Sequence, residues 1–71
     1  MTALELISEI LRRNVNLSGD TFLADVNGWD SLRSVRLVLR IEEQLDRELT
    51  ETEIENIRSV GDVDRLLAGP G

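Results

Sequence analysis

Apolar residues recur with helical spacing in four segments of the chain. In the first segment Leu4, Ile7 and Leu11 repeat at i, i+3 and i+7, and Thr2 with Glu5 forms a capping box at its start. No segment shows the alternation typical of a strand, so the sequence predicts a single all-α domain over residues 1–71, a four-helix bundle. The predicted helices cover about residues 3–13, 31–47, 51–57 and 60–67, with a tail at 68–71.

A long loop separates the first two helices, and the third helix is short. Residues 14–30 are rich in Asn, Ser, Gly and Asp, and they include the two aromatic residues of the chain, Phe22 and Trp29. A loop of this length is uncommon in a compact domain and is usually functional when ordered. We expect both aromatic side chains to fix the loop onto the helices, because each can bury a large apolar area.

The second helix carries two apolar faces. The first face, typical of a buried stripe, consists of Leu37, Val38, Ile41 and Leu45. The second face lies nearly opposite and consists of Leu32, Val35 and Leu39, with Arg33, Arg36 and Arg40 beside it. A helix in so small a domain is not expected to be buried on both sides. Either the long loop covers Leu32 and Val35, or the second face is a docking surface for other proteins.

Composition and charge exclude several classes of protein. The chain has 14 acidic residues against 8 basic ones, all of them arginine, and a net charge of −6. This balance argues against nucleic acid or an anionic membrane as a partner. There is no cysteine and no histidine, which excludes disulfides and thiolate metal sites, so we expect no metal site. No apolar run reaches the length of a membrane span, and we expect a cytoplasmic monomer.

Ser31, in the stretch Gly-Trp-Asp-Ser-Leu, is the candidate for chemistry. A serine nucleophile needs a base, but the chain has neither histidine nor lysine, and the neighbouring Asp30 is a poor base for an alcohol. We therefore expect no catalytic residue. Asp30 or Ser31 could simply cap the second helix. A serine at a helix N-terminus is equally a suitable place for a phosphodiester, since free amides and the helix dipole favour negative charge there.

The stretch "DVNGWDSLRSVRLVLRIEEQL" resembles the acyl carrier protein and peptidyl carrier protein superfamily. The shared features are Asp-Ser-Leu after a long first loop, a helix of the form L-x-x-V-x-L-V-x-x-I-E-E, a short third helix and the closing "SVGDVDRLL". The resemblance implies that Ser31 bears 4′-phosphopantetheine, transferred from coenzyme A by a phosphopantetheinyl transferase. The thiol of that arm would hold acyl or aminoacyl groups as thioesters, which supplies the sulfur that the chain lacks.

The resemblance also implies roles for the residues around Ser31. Asp30 would hold the helix start and help to present Ser31 to the transferase. The implied partners are that transferase, an acyl- or aminoacyl-loading ligase or adenylation enzyme, and downstream acyl-processing enzymes. Positions matching those that such carriers use for docking are Leu32, Val35, Arg36 and Leu39, and the flanking Arg33 and Arg40 extend this candidate surface.

One departure from the family pattern bears on the pathway. Bacterial fatty-acid carriers usually have acidic residues at several exposed positions of this helix, where this chain has Arg33, Arg36 and Arg40. Because charge complementarity selects among partners, the sequence favours a polyketide or nonribosomal peptide-type pathway over primary fatty-acid synthesis. Two alternatives stay open: a D-alanyl carrier for cell-wall polymers, and a helical protein-interaction module that never carries a cofactor.

Overall fold

Four α-helices and one short 3₁₀ turn make up the structure, a computed structural model in which residues 1–69 are described. The part of the predicted tail at residues 70–71 lies outside the described residues. No strand occurs among residues 1–69, which confirms the all-α, four-helix prediction. The helices are α1 (Ala3–Leu11), α2 (Ser31–Leu45), α3 (Glu51–Glu55) and α4 (Val60–Ala68), and the 3₁₀ turn covers Leu23–Asp25.

Every helix begins at a side-chain cap. Thr2, Thr50 and Ser59 each form a complete capping box, with an acidic residue three positions later bonding back to the cap backbone. Asp30 caps α2 by accepting a hydrogen bond from the backbone N–H of Arg33. These local bonds explain why the helix starts coincide with the positions that the sequence predicts.

The helix ends differ from the prediction by one or two residues. α1 ends at Leu11 and α2 at Leu45, each two residues early, because Arg12 (φ 57°) and Asp46 (φ 56°) adopt the left-handed conformation that terminates a helix. α3 likewise stops two residues early, at Glu55. α4 continues one residue into the predicted tail and ends at Ala68.

The core lies between α1, α2 and α4, the three helices that pack against one another. The largest fully buried side chains are Leu6, Ile7, Leu37, Ile41, Val60 and Val63. Each such aliphatic side chain contributes about 1.5–3 kcal/mol when removed from water. α3 contains no buried residue, so it covers the bundle without adding to its centre. Within residues 1–69, no helix is both long and apolar enough to cross a membrane.

The long loop is held against α4 by backbone hydrogen bonds. Leu23 N–H donates to Arg58 O at 2.9 Å, and Val60 N–H donates to Thr21 O at 3.0 Å. Leu23 is buried and Trp29 is partly buried against the core. The expectation that Phe22 also fixes the loop through burial is wrong, because its side chain is 58% exposed. The register of the backbone bonds turns Leu23, and not Phe22, toward the core.

Gly61, in the first turn of α4, lies in close contact with this loop. Its N–H donates to Gly19 O at 2.9 Å, and a Cβ on Gly61 would lie 3.0 Å from that same oxygen. Alanine normally stabilises a helix by about 1 kcal/mol over glycine. We expect Gly61→Ala instead to destabilise the protein by about 1 kcal/mol, since the carbonyl cannot retreat without lengthening its own hydrogen bond.

The measurement is chemical denaturation of the two alanine variants beside the parent protein. Gly19→Ala is the matched control, because its Cβ would meet nothing closer than 3.9 Å, and it should change stability by less than about 0.5 kcal/mol. A Gly61→Ala protein more stable than the parent would contradict the expectation.

Asp62 makes the start of α4 sensitive to acid. Its carboxylate accepts from the backbone N–H groups of Ser59 at 2.9 Å and Arg58 at 3.0 Å and pairs with Arg65. Hydrogen bonding, first to the Ser59 amide, lowers its pKa to about 2. Because the folded-state pKa lies below that of the unfolded chain, the stabilisation is present above about pH 4 and is lost as the pH falls toward 2.

We therefore expect Asp62→Asn to lower the melting temperature at pH 7 by roughly 4–8 °C, equivalent to about 1 kcal/mol. The difference from the parent protein should shrink as the pH falls from 4 to 2. Thermal melts followed by circular dichroism across this range provide the test. Asp20→Asn is the control, since Asp20 is exposed and makes no side-chain hydrogen bond among residues 1–69. A deficit that persists unchanged at pH 2 would disprove the assignment.

Candidate functional site

Ser31 is the first residue of α2, and it is exposed. The preceding Asp30 has extended backbone angles (φ −148°, ψ −175°), and its Oδ1 accepts from Arg33 N–H at 3.0 Å. Of the two capping candidates that the sequence left open, Asp30 is therefore the cap. Across residues 1–69, no side-chain hydrogen bond engages the Ser31 hydroxyl, which leaves it available to another molecule at the start of a 15-residue helix.

The Asp30 carboxylate is held in its charged form. Hydrogen bonding from the Arg33 backbone N–H is the main cause of its lowered pKa, and the Arg33 guanidinium adds a further bond from Nη1 to Oδ2 at 2.8 Å. A carboxylate stabilised in this way is a weaker base than an ordinary one. Asp30 is thus suited to holding the helix start rather than to taking the proton of Ser31.

Trp29 connects the end of the long loop to α2. Its indole Nε1–H donates to Ser34 Oγ at 3.0 Å, and its backbone N–H donates to Val26 O at 3.0 Å. The ring is partly buried against the core. These contacts fix the two residues before Ser31 and therefore the direction in which α2 starts.

An apolar groove lies beside Trp29, with a volume of about 500 Å³. Its walls come from the 3₁₀ turn, α2, α3 and the segment after α3, and they include Phe22, Trp29, Val38, Ile54 and Ile57. Sequence reasoning did not find this groove, because its residues are scattered over the chain. No local pattern in the sequence marks it, since Phe22 and Ile54 stand out as exposed large apolar residues only in the folded chain.

The second apolar face of α2 is exposed to solvent. Leu32, Val35 and Leu39 have exposed fractions of 56%, 56% and 53%, whereas Leu37 and Ile41 on the opposite face are buried. The interpretation in which the long loop covers Leu32 and Val35 is therefore wrong. We refer to Leu32, Val35 and Leu39 as the α2 stripe.

The three arginines beside the α2 stripe differ in their surroundings. Arg33 Nη1 pairs with Asp30 Oδ2 at 2.8 Å, and Arg40 Nη2 pairs with Glu9 Oε2 of α1 at 2.8 Å. Arg36 is exposed and has no ion-pair partner in the described part of the chain. Two of the three predicted docking charges are thus engaged within the protein, and one faces solvent alone. Among residues 1–69, no cluster of acidic side chains is arranged to hold a metal ion.

Comparison with known proteins agrees with this geometry. Residues 2–67 match the family model described as "phosphopantetheine attachment site". The structure is similar to that of a protein assigned as an acyl carrier protein of Mycobacterium tuberculosis, with a TM-score of 0.81 and 30% sequence identity. The alignment covers 93% of this chain and 89% of the mycobacterial chain. No curated protein matches the sequence significantly.

The free serine hydroxyl at a capped helix start fits covalent attachment through a phosphodiester, and the family match extends over nearly the whole chain. Members of this family are non-catalytic carriers that hold 4′-phosphopantetheine covalently. The chain belongs to the phosphopantetheine attachment family of the acyl carrier protein superfamily.

Proposed function

We propose that Ser31 is the residue to which the phosphopantetheine arm is attached. The observation that carries this proposal is the exposed hydroxyl of Ser31 at the first position of α2. This hydroxyl does not cap the helix, because Asp30 does so. The unpaired amides and the dipole of α2 favour a phosphodiester at this position. Because Arg33 pairs with Asp30 at 2.8 Å, the charge of the neighbouring carboxylate is partly balanced.

In this proposal the protein carries acyl or aminoacyl groups and presents them to biosynthetic enzymes. The arm supplies a thiol, and the chain supplies its position and the surfaces that partners recognise. A polyketide or nonribosomal peptide-type pathway is supported by the arginines along the first turns of α2, since α2 has no acidic residue in its first turn. A D-alanyl carrier for cell-wall polymers is the second candidate of the same class.

The proposed docking surface for these enzymes is the α2 stripe together with its flanking arginines. The stripe combines exposed apolar side chains with nearby positive charge, a combination typical of recognition surfaces. Its first residue, Leu32, is adjacent to Ser31 in the sequence, so an enzyme that reaches the hydroxyl also covers Leu32. The flanking residues are Arg33, Arg36 and Arg40.

The attachment proposal is tested by incubating the protein with coenzyme A and a broad-specificity phosphopantetheinyl transferase. We expect the intact mass to increase by one arm and Ser31→Ala to show no increase. Thr52→Ala is the control, because it removes an exposed hydroxyl of α3 that makes no side-chain hydrogen bond among residues 1–69, and it should still be modified. An unmodified parent protein, under conditions that modify a known carrier, would favour the cofactor-free interaction module instead.

Asp30 should act in this reaction as a positioning residue. Removing its carboxylate in Asp30→Ala leaves the Arg33 amide without a cap, which loosens the first turn of α2 and lowers the kcat/KM of arm transfer severalfold. Asp30→Ser, which restores a capping oxygen without the charge, should recover most of the rate. Amide hydrogen exchange at residues 31–34 should rise in the alanine variant and return toward normal in the serine variant. Equal rates for the alanine variant and the parent protein would rule out this role.

A further inference from the structure

A second cleft, of about 270 Å³, lies where the C-terminal end of α1 meets the middle of α2. It is separate in its lining from the groove beside Trp29. The side chains that determine its character are Glu9, Arg12, Arg36, Leu39, Arg40 and Glu43. Leu39 belongs both to this cleft and to the α2 stripe, so the two form one continuous surface.

Arg40 pairs with one carboxylate of the cleft and lies near the other. Its Nη2 lies 2.8 Å from Glu9 Oε2 across the α1–α2 junction, and its Nε lies 3.8 Å from Glu43 Oε2. Glu9 is therefore already partnered, whereas the Glu43 side chain is 69% exposed and lies farther from the same guanidinium. The charge with which the cleft can bind another molecule therefore depends mainly on its remaining charged residues.

Those remaining charges are the guanidinium groups of Arg12 and Arg36. Both side chains are exposed, and neither has an ion-pair partner among residues 1–69. Of the eight arginines, four form ion pairs and Arg13 donates to the Asn27 carbonyl oxygen. Besides Arg12 and Arg36, only Arg58 has neither an ion pair nor a side-chain hydrogen bond among the described residues. Two guanidinium groups without an ion-pair partner among residues 1–69 thus line one cleft in a chain whose net charge is −6.

We propose that this cleft receives an acidic side chain, flanked by aliphatic residues, from an enzyme that docks on the α2 stripe. Arg12 and Arg36 fit the carboxylate, and Leu39 fits the aliphatic neighbours, since arginine forks bind carboxylates with defined geometry. Arg36 lies about 7.5 Å beyond Ser31 along the axis of α2, so an enzyme working at Ser31 spans this distance easily. The proposal rests on the docking role of the α2 stripe but not on modification of Ser31.

The test is a nuclear magnetic resonance titration of the isotope-labelled protein with a synthetic amphipathic peptide that carries Glu beside Leu on one helical face. We expect chemical-shift changes around Arg12, Arg36 and Leu39, and none with a matched peptide that carries Lys in place of Glu. Arg12→Glu/Arg36→Glu should raise the Kd about tenfold or more, because like charges then face each other. Arg58→Glu is the control for net charge, since it changes the charge by as much as Arg36→Glu alone does, and it should bind as the parent protein does.

Circular dichroism checks that the double variant keeps its helices, and Arg36→Glu alone provides a second variant with a smaller expected loss. Absence of shifts in the cleft, equal binding of both peptides, or equal loss in Arg58→Glu would each overturn the proposal. So would sedimentation data showing that the parent protein dimerises through these residues. Ser31→Ala should bind the peptide normally, which separates failure of the cleft proposal from failure of the attachment proposal.

Discussion

α2 can bury only one of its two apolar faces, and the exposed surface of the protein follows from this constraint. Leu37 and Ile41 complete a core that α1 and α4 share with α2, whereas α3 contributes no buried residue. A domain of about 70 residues has little further interior to offer. The α2 stripe therefore stays in solvent although it is apolar, and this exposure is the observation on which the proposed docking role rests.

The helix starts and the position of Ser31 could be predicted from sequence because both depend on neighbours within three residues. Asp30 reaches the Arg33 amide, and Thr2 reaches the Glu5 amide, without help from distant parts of the chain. The helix ends were harder to predict. Arg12 and Asp46 terminate α1 and α2 in a left-handed conformation that glycine normally adopts. A non-glycine residue at such a position gives no signal in the sequence.

Features that join distant segments could not be predicted at all. The exposure of Phe22 depends on the register in which the loop pairs with Arg58 and Val60, which no local pattern encodes. The groove beside Trp29 combines side chains from elements far apart in the chain. In both cases the deciding information is which backbone groups meet, and only the packed fold contains it.

The net charge that α2 exposes to solvent also differs from the charge expected from its own sequence. Three arginines flank the stripe, but Asp30 balances Arg33, and Glu9 of α1 balances Arg40. The positive character of this surface is therefore set partly by α1, through a carboxylate that lies outside α2. Two carriers with identical α2 sequences would present different surfaces if only one had an acidic residue at the position of Glu9. Under the proposed docking role, selection of partners depends on the α1–α2 junction, whose lining includes one paired arginine and two without an ion-pair partner among residues 1–69.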